Sequence, residues 1–270
     1  MIKQAIIPLA GLGTRLLPLT SVIPKELLPI NGKPNLEYIL EECLEAGIKE
    51  FIFIISKNKS SIKKYFFNDV FYKKIIKKKN DKRIIEEFKK IKKYRKMIKF
   101  VYQNKPKGTG DAVLKCNKYI TGKYFIMLLP DDLIIKRNCT KEMIKLHKQK
   151  RCSVIATKKV PKKTVSRWGI LSLNNMRKNN FKITNVVEKP KVQDAQSNFA
   201  IIGRYILPKK IMNEIKKLKP GQGNEIHITD AIKNLILNNE DFYGNIFKGK
   251  YLDCGTLNGY IGSGIEISKG

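Results

Sequence analysis

Gln4-Ala5-Ile6-Ile7-Pro8-Leu9, followed at once by Ala10-Gly11-Leu12-Gly13-Thr14-Arg15, decides the class of fold. The first six residues form an apolar run of strand length, and the glycines end it in a turn. A strand apolar on both faces is one covered on both faces, which points to a parallel sheet between two layers of helices. Working outward, apolar runs recur at 51–55 and 124–129, with a shorter strand at 99–102. Helix-period segments separate them at 35–46, stopped by Gly47, and at 60–67, 71–95 and 110–118. Strands alternating with helices predict an α/β fold with a mostly parallel sheet. Beyond a helix at 140–150 the pattern changes to strands at 153–156, 169–173, 181–187 and 199–207. A helix at 229–237 and strands at 242–247 and 250–252 precede the Cys254-Gly255 turn.

A chain of 270 residues with no internal repeat or low-complexity linker suits one domain, residues 1–270. Its front half, about 1–135, is expected to bind a nucleotide, and its back half, about 136–270, the second substrate. Hydrophobic residues at 42% and charged residues at 29% exclude a disordered chain. No apolar run reaches the roughly 18–20 residues of a membrane span, and the N-terminus lacks a small-residue cleavage site, so no membrane partner and a cytoplasmic location are expected. The five cysteines make no Cys-x-x-Cys pair, and His147 and His227 cannot build a zinc helix, which removes disulfide and zinc frameworks. The net charge of +32 suits anionic ligands. Lysines run from end to end, as AT-rich codons would produce, and the dense stretches at 73–79 and 89–96 read either as solvated helix faces or as a patch for RNA or membrane.

Chemistry concentrates where the first strand ends. Ligands of open α/β sheets bind beyond the carboxyl ends of strands, where glycines let backbone N–H groups approach phosphates. Gly11-Leu12-Gly13 alone is equally a plain tight turn; Leu16 replaces the third glycine of a dinucleotide fingerprint, and Gly32-Lys33-Pro34 is no P-loop. Arg15, and Lys25 held between Pro24 and Pro29, offer two cations to one polyphosphate. Asp131-Asp132, ending an apolar strand, are hard oxygen ligands for Mg²⁺ or ordinary turn residues.

Gly11-Leu12-Gly13-Thr14-Arg15 with Pro18 and Thr20, then Pro24-Lys25-Glu26-Leu27-Leu28-Pro29, resembles the signature of the sugar-phosphate nucleotidyltransferases. The likeness runs along nearly the whole chain and is strongest to the family's uridylyl enzymes that act on glucose 1-phosphate. It implies a three-layer α/β/α Rossmann-like nucleotidyltransferase fold with a mostly parallel mixed sheet. It implies transfer of the uridylyl group of UTP to glucose 1-phosphate, giving UDP-glucose and pyrophosphate. A sister enzyme using dTTP or ATP would share the same loop and acids, and a basic RNA-binding protein without catalysis is the alternative from another class. The basic stretch at 66–96 is similar to an insertion of the uridylyl members.

By that likeness Ala10, Gly11, Gly13 and Thr14 hold the nucleotide, and Gln103 and Gly108, in Tyr102-Gln103-Asn104 and Lys107-Gly108-Thr109-Gly110, read the uracil edge. Arg15 and Lys25 would grip the triphosphate and the departing pyrophosphate. Asp131 and Asp253 would hold Mg²⁺. On the sugar-phosphate side stand Gly169, Glu188 and Ile201, with Lys189 gripping the nucleophilic phosphate; Trp168 occupies a position where the family more often has Tyr. The resemblance also implies a homo-oligomer, dimer or tetramer, with contacts near 223–230. Because Gly270 falls short of the usual family length, a C-terminal helical segment is expected to be missing. His227 reads as a structural or surface residue.

Overall fold

The computed structural model describes residues 2–177 and 179–269. Its main strands are β1 (Gln4–Pro8), β4 (Glu50–Ile55), β5 (Ile98–Tyr102), β6 (Tyr124–Leu128), β8 (Ser153–Lys159), β9 (Gly169–Arg177), β10 (Asn180–Glu188), β11 (Phe199–Pro208) and β12 (Phe242–Ile246). Short ribbons pair β2 (Pro29–Ile30) with β3 (Lys33–Pro34), and β7 (Asp132–Ile135) with β13 (Lys250–Asp253). The helices are α1 (Asn35–Glu45), α2 (Ser60–Phe67), α3 (Asp69–Lys79), α4 (Lys82–Arg95), α5 (Thr109–Leu114), α6 (Cys139–Lys150), α7 (Ile211–Lys217), α8 (Ile228–Leu237) and α9 (Leu257–Ser268).

The nine main strands form one sheet in the order β5-β4-β1-β6-β11-β8-β12-β10-β9, and β9 also pairs with β11, so that end curls upon itself. β5, β4, β1 and β6 are parallel, as the apolar runs predict. The back half differs: β8–β12 is parallel, but β11 runs antiparallel to β6 and β8, and β10 antiparallel to β9 and β12. The sheet is therefore mixed, with its parallel character concentrated in the front half. The physical reason lies in the connections. A helix lies between β1 and β4, whereas only two residues separate β9 from β10, too few for the crossover that parallel strands need.

Alternate residues of β1 point to opposite faces, giving two cores. Ala5, Ile7 and Leu9 pack with α1, α2, α4 and α6, while Ile6 and Ala10 pack with α5, α7 and α8. This is the expected three-layer arrangement, and one sheet runs through both halves of the chain. The predicted helix at 71–95 is two helices. Asn80 takes the left-handed region (φ 50°) and Asp81 caps α4 by accepting from Ile84 N–H at 3.1 Å. No helix is predicted beyond residue 252, yet α9 covers Leu257–Ser268, started by Thr256, which accepts from Gly259 N–H. No helix among the described residues is long and apolar enough to cross a membrane.

Candidate active site

β1 delivers the chain to the glycine loop. Gly13 is left-handed (φ 71°), and its carbonyl accepts from Leu16 N–H at 2.9 Å and from the Thr20 hydroxyl at 2.8 Å, which folds the loop over the strand end. Gly11 meets no protein atom that a methyl group would touch, so packing does not demand glycine there. Thr14 and Arg15 follow in a short 3₁₀ turn, and Ala10 is buried beneath. A second 3₁₀ turn, Lys25–Leu27, presents Lys25.

Both cations converge on one acid. Lys25 Nζ lies 2.6 Å from Asp131 Oδ2, and an Arg15 guanidinium nitrogen lies 3.5 Å from the same oxygen. Asp131 stands just beyond β6. Asp253 ends β13, whose antiparallel pairing with β7 sets it opposite Asp132, and Cys254 N–H donates to the Asp131 carbonyl at 2.8 Å. The ribbon thereby brings two sequence-distant aspartates together. A methyl group on Gly255 would lie 2.7 Å from Asp131 Oδ2, 3.2 Å from Asp253 Oδ1 and 2.9 Å from Arg15, so only glycine lets both carboxylates and the guanidinium close in on the backbone here. Burial would raise the Asp131 carboxyl, but Lys25 and Arg15 hold it below its ordinary value. Burial would likewise lower the Lys25 ammonium, yet Asp131 and Glu26 hold it above. Both groups stay charged.

Gly169, Glu188, Lys189 and Ile201, which the resemblance assigns to the sugar phosphate, line a cavity of about 520 Å³ together with Arg15, Asp131 and Asp253. Gly169 and Glu188 are register partners at the ends of β9 and β10. Glu188 Oε2 accepts from the Thr229 hydroxyl at 3.0 Å and lies 3.2 Å from where a Gly169 Cβ would be; Ile201 Cδ1 lies 3.0 Å from it. Any side chain at 169 would therefore fill the space before Glu188. Lys189 is left-handed (φ 44°), rare for a residue with a Cβ, and its N–H donates to the Trp168 carbonyl at 2.9 Å. Trp168 packs edge-on to Tyr251 with ring centres 6.0 Å apart, forming an aromatic rim.

Gln103 and Gly108 stand elsewhere, beyond β5, two strands along the sheet from β1. Gln103 Nε2 donates to the Gly108 carbonyl (3.2 Å) and to Asp111 Oδ2 (2.7 Å), tying the 103–111 loop into a unit. Gly108 has φ 94°, and a Cβ there would lie 2.5 Å from the Ile226 carbonyl oxygen. Gly108→Ala is thus strained twice, by backbone angle and by contact. It should cost roughly 1–3 kcal/mol of stability, read as a lowered Tm in a thermal melt.

Asp132, Tyr251, Arg167 and Thr229 complete the site. Asp132 accepts from the Tyr251 hydroxyl at 2.6 Å; burial, and then the charge of Asp131, push its carboxyl up to about 7. Arg167 comes within 3.8 Å of Asp253 Oδ2. Thr229 and Arg167 reach the site only through tertiary folding. Asp132 was already visible as the second acid of the Asp131-Asp132 pair, whereas Tyr251 had no signal beyond standing two residues before Asp253.

Residues 4–269 match the family described as Nucleotidyl transferase, and the chain belongs to that family. Within it, UTP–glucose-1-phosphate uridylyltransferases are among its relatives. One from Pseudomonas aeruginosa is 38% identical, over 97% of this chain and 94% of its own length. Another, from Mycoplasma pneumoniae, is 37% identical over 96% and 90%. A crystal structure of UDP-glucose pyrophosphorylase complexed with UDP-glucose superposes with a TM-score of 0.88 at 35% identity, covering 100% of this chain and 99% of that one. The UTP-bound enzyme from Acinetobacter baumannii gives 0.89 at 32% identity, covering 99% and 93%.

Proposed function

We propose that this chain joins UTP and glucose 1-phosphate into UDP-glucose, releasing pyrophosphate, and that the residues above do so in the roles their positions suggest. The carrying observation is the convergence of Arg15 and Lys25 on Asp131, which lines one cavity together with Arg15, Asp253, Glu188 and Lys189 while Lys25 stands behind it. A glucose 1-phosphate oxygen attacks the α-phosphorus of UTP in line as pyrophosphate leaves. The nucleophile is already ionised near neutral pH, so the site needs no general base. Its task is electrostatic: bring two anions together and stabilise charge growing on the leaving group.

Arg15 and Lys25 reach toward the β- and γ-phosphates, while the N–H groups of the 10–14 loop approach them where Gly11 leaves the backbone bare. Lys189 binds the nucleophilic phosphate, and Glu188, held by Thr229, accepts from glucose hydroxyls. Gln103, whose amide nitrogen is engaged, offers its oxygen to the uracil N3–H, with Gly108 beside it. Asp131 and Asp253 suit Mg²⁺, which binds through one or two carboxylates and fills its other positions with water and phosphate oxygens. Bound there, it would add positive charge to the phosphates. Five free, buried cysteines support a reducing cytoplasm. Self-association is supported by α9, which leaves Leu257, Ile261 and Ile265 exposed at four-residue spacing.

Purified protein incubated with glucose 1-phosphate and UTP, dTTP or ATP in turn should release pyrophosphate mainly with UTP. Chelator should abolish the release and added Mg²⁺ restore it. Release with dTTP or ATP alone would overturn the choice of nucleotide, and chelator-resistant release would overturn the metal assignment.

A further inference from the structure

The Pro24-Lys25-Glu26 segment contains a second charged group that the reaction above leaves unused. Glu26 is 1% exposed, and both its carboxylate oxygens accept from Lys59 Nζ at 2.8 Å. Lys59 is itself 7% exposed and lies just past β4, in the turn that enters α2. Lysine and glutamate are almost never so buried without a specific reason. In a chain carrying +32, an internal ion pair is no by-product of surface charge.

We propose that Glu26 and Lys59 are positioning residues for the reaction, a buried ion pair that fixes the direction of Lys25 toward the phosphates. This rests on the uridylyl-transfer reading. Lys25 and Glu26 are successive residues of one 3₁₀ turn, in which neighbouring side chains diverge by about a third of a revolution. Clamping Glu26 inward therefore fixes the turn's rotation and points Lys25 to Asp131, at 2.6 Å. The four side chains alternate in sign, from Asp131 through Lys25 and Glu26 to Lys59. Lys59, bonded to both Glu26 oxygens, keeps Glu26 from drawing Lys25 inward. Burial pushes the Glu26 carboxyl up and the Lys59 amine down, so each depends on the other to remain charged. Without Lys59, the nearest cation left to Glu26 is Lys25, which would turn away from the site.

Stability and positioning separate in the double variant Glu26→Leu/Lys59→Met, because replacing a buried ion pair by apolar residues is often neutral or stabilising. UDP-glucose formation is measured against UTP and glucose 1-phosphate, pyrophosphate binding by calorimetry, and folding by thermal melting. The double variant should melt like the wild type yet lose about 10²-fold in kcat/KM for UTP, the cost of a misplaced group. Pyrophosphate affinity should fall while the KM for glucose 1-phosphate stays unchanged, a split that a purely structural pair would not give. Lys59→Arg should recover much of the loss by keeping the pair. A folded double variant with wild-type kcat/KM for UTP and wild-type pyrophosphate affinity overturns the proposal. If the double variant does not fold, Glu26→Gln decides: it keeps the shape and one hydrogen bond, and wild-type turnover there overturns the proposal equally. Wild-type protein that binds pyrophosphate but forms no UDP-glucose defeats the functional reading instead, and the pyrophosphate affinities of the variants still test the pair.

Discussion

Asp253→Asn should lower turnover roughly 10²–10³-fold, about 3–4 kcal/mol of barrier, in a protein that folds normally. The prediction follows from what Asp253 touches. One oxygen accepts from Gly255 N–H at 2.9 Å, a bond that an asparagine oxygen keeps, so the turn after β13 should survive. The other faces Arg167 at 3.8 Å, too distant and exposed for its loss to matter to stability. What asparagine removes is the negative charge that meets Asp131 at Gly255, and with it half of the proposed hard-oxygen pair. Lys25→Ala should lose activity on the same scale for the opposite reason, since it removes the cation that we propose meets the charge developing on the leaving group. The two variants should differ in metal dependence. Asp253→Asn should need more Mg²⁺ for half-maximal activity; Lys25→Ala should keep the wild-type requirement and show weaker pyrophosphate binding. Pyrophosphate release across a Mg²⁺ series, with melting curves as control, reads both. Near-normal turnover in either folded variant would remove that residue from the proposed chemistry.

What could be read beforehand follows a physical divide. Local patterns were legible: the apolar runs of β1, β4 and β6, the stop at Gly47, and the rule that ligands gather beyond strand ends, which singled out Arg15, Lys25 and Asp131. Two expectations failed where a local signal was outweighed. The run at 71–95 keeps a helical period in its lysines straight through Asn80-Asp81, and only the left-handed angle at Asn80 shows the break. α9 carries Gly259, Gly262 and Gly264, which depress helix propensity, yet Thr256 caps it and Tyr260 donates to the Pro29 carbonyl at 2.5 Å. Non-local facts were invisible. Asp132 looked like the end of a turn but opens β7, and nothing in its neighbourhood announces a pairing with Asp253. Glu26, a charged residue between prolines, looks like surface in one dimension and is core in three.

The largest stability effect is expected at a place with no catalytic group. Glu42→Leu should destabilise the protein by about 3–5 kcal/mol, because it strands a guanidinium in the core. Arg204 is fully buried, and Glu42 receives it through both carboxylate oxygens, at 2.9 Å from one terminal nitrogen and at 3.2 and 3.3 Å from Nε. Glu42 also accepts from the Thr140 hydroxyl at 2.7 Å, which joins α1, α6 and β11 at one point. The other terminal nitrogen of Arg204 donates to the carbonyls of Leu129 (3.1 Å) and Gly203 (3.2 Å). Burial disfavours its charge, but Glu42 outweighs burial and holds the guanidinium above its ordinary value; with Glu42 gone, arginine's own basicity still keeps it from escaping by losing a proton. For a chain of this size the loss corresponds to a fall in Tm of roughly 10 °C. Glu42→Leu/Arg204→Met, which removes both charges, should recover much of that stability. It should not recover all activity. The Leu129 carbonyl that Arg204 braces lies two residues before Asp131, so the double variant is expected to be stable but slower. A Tm for Glu42→Leu within about 2 °C of wild type would show that the core accommodates the unpaired cation and that this brace is dispensable.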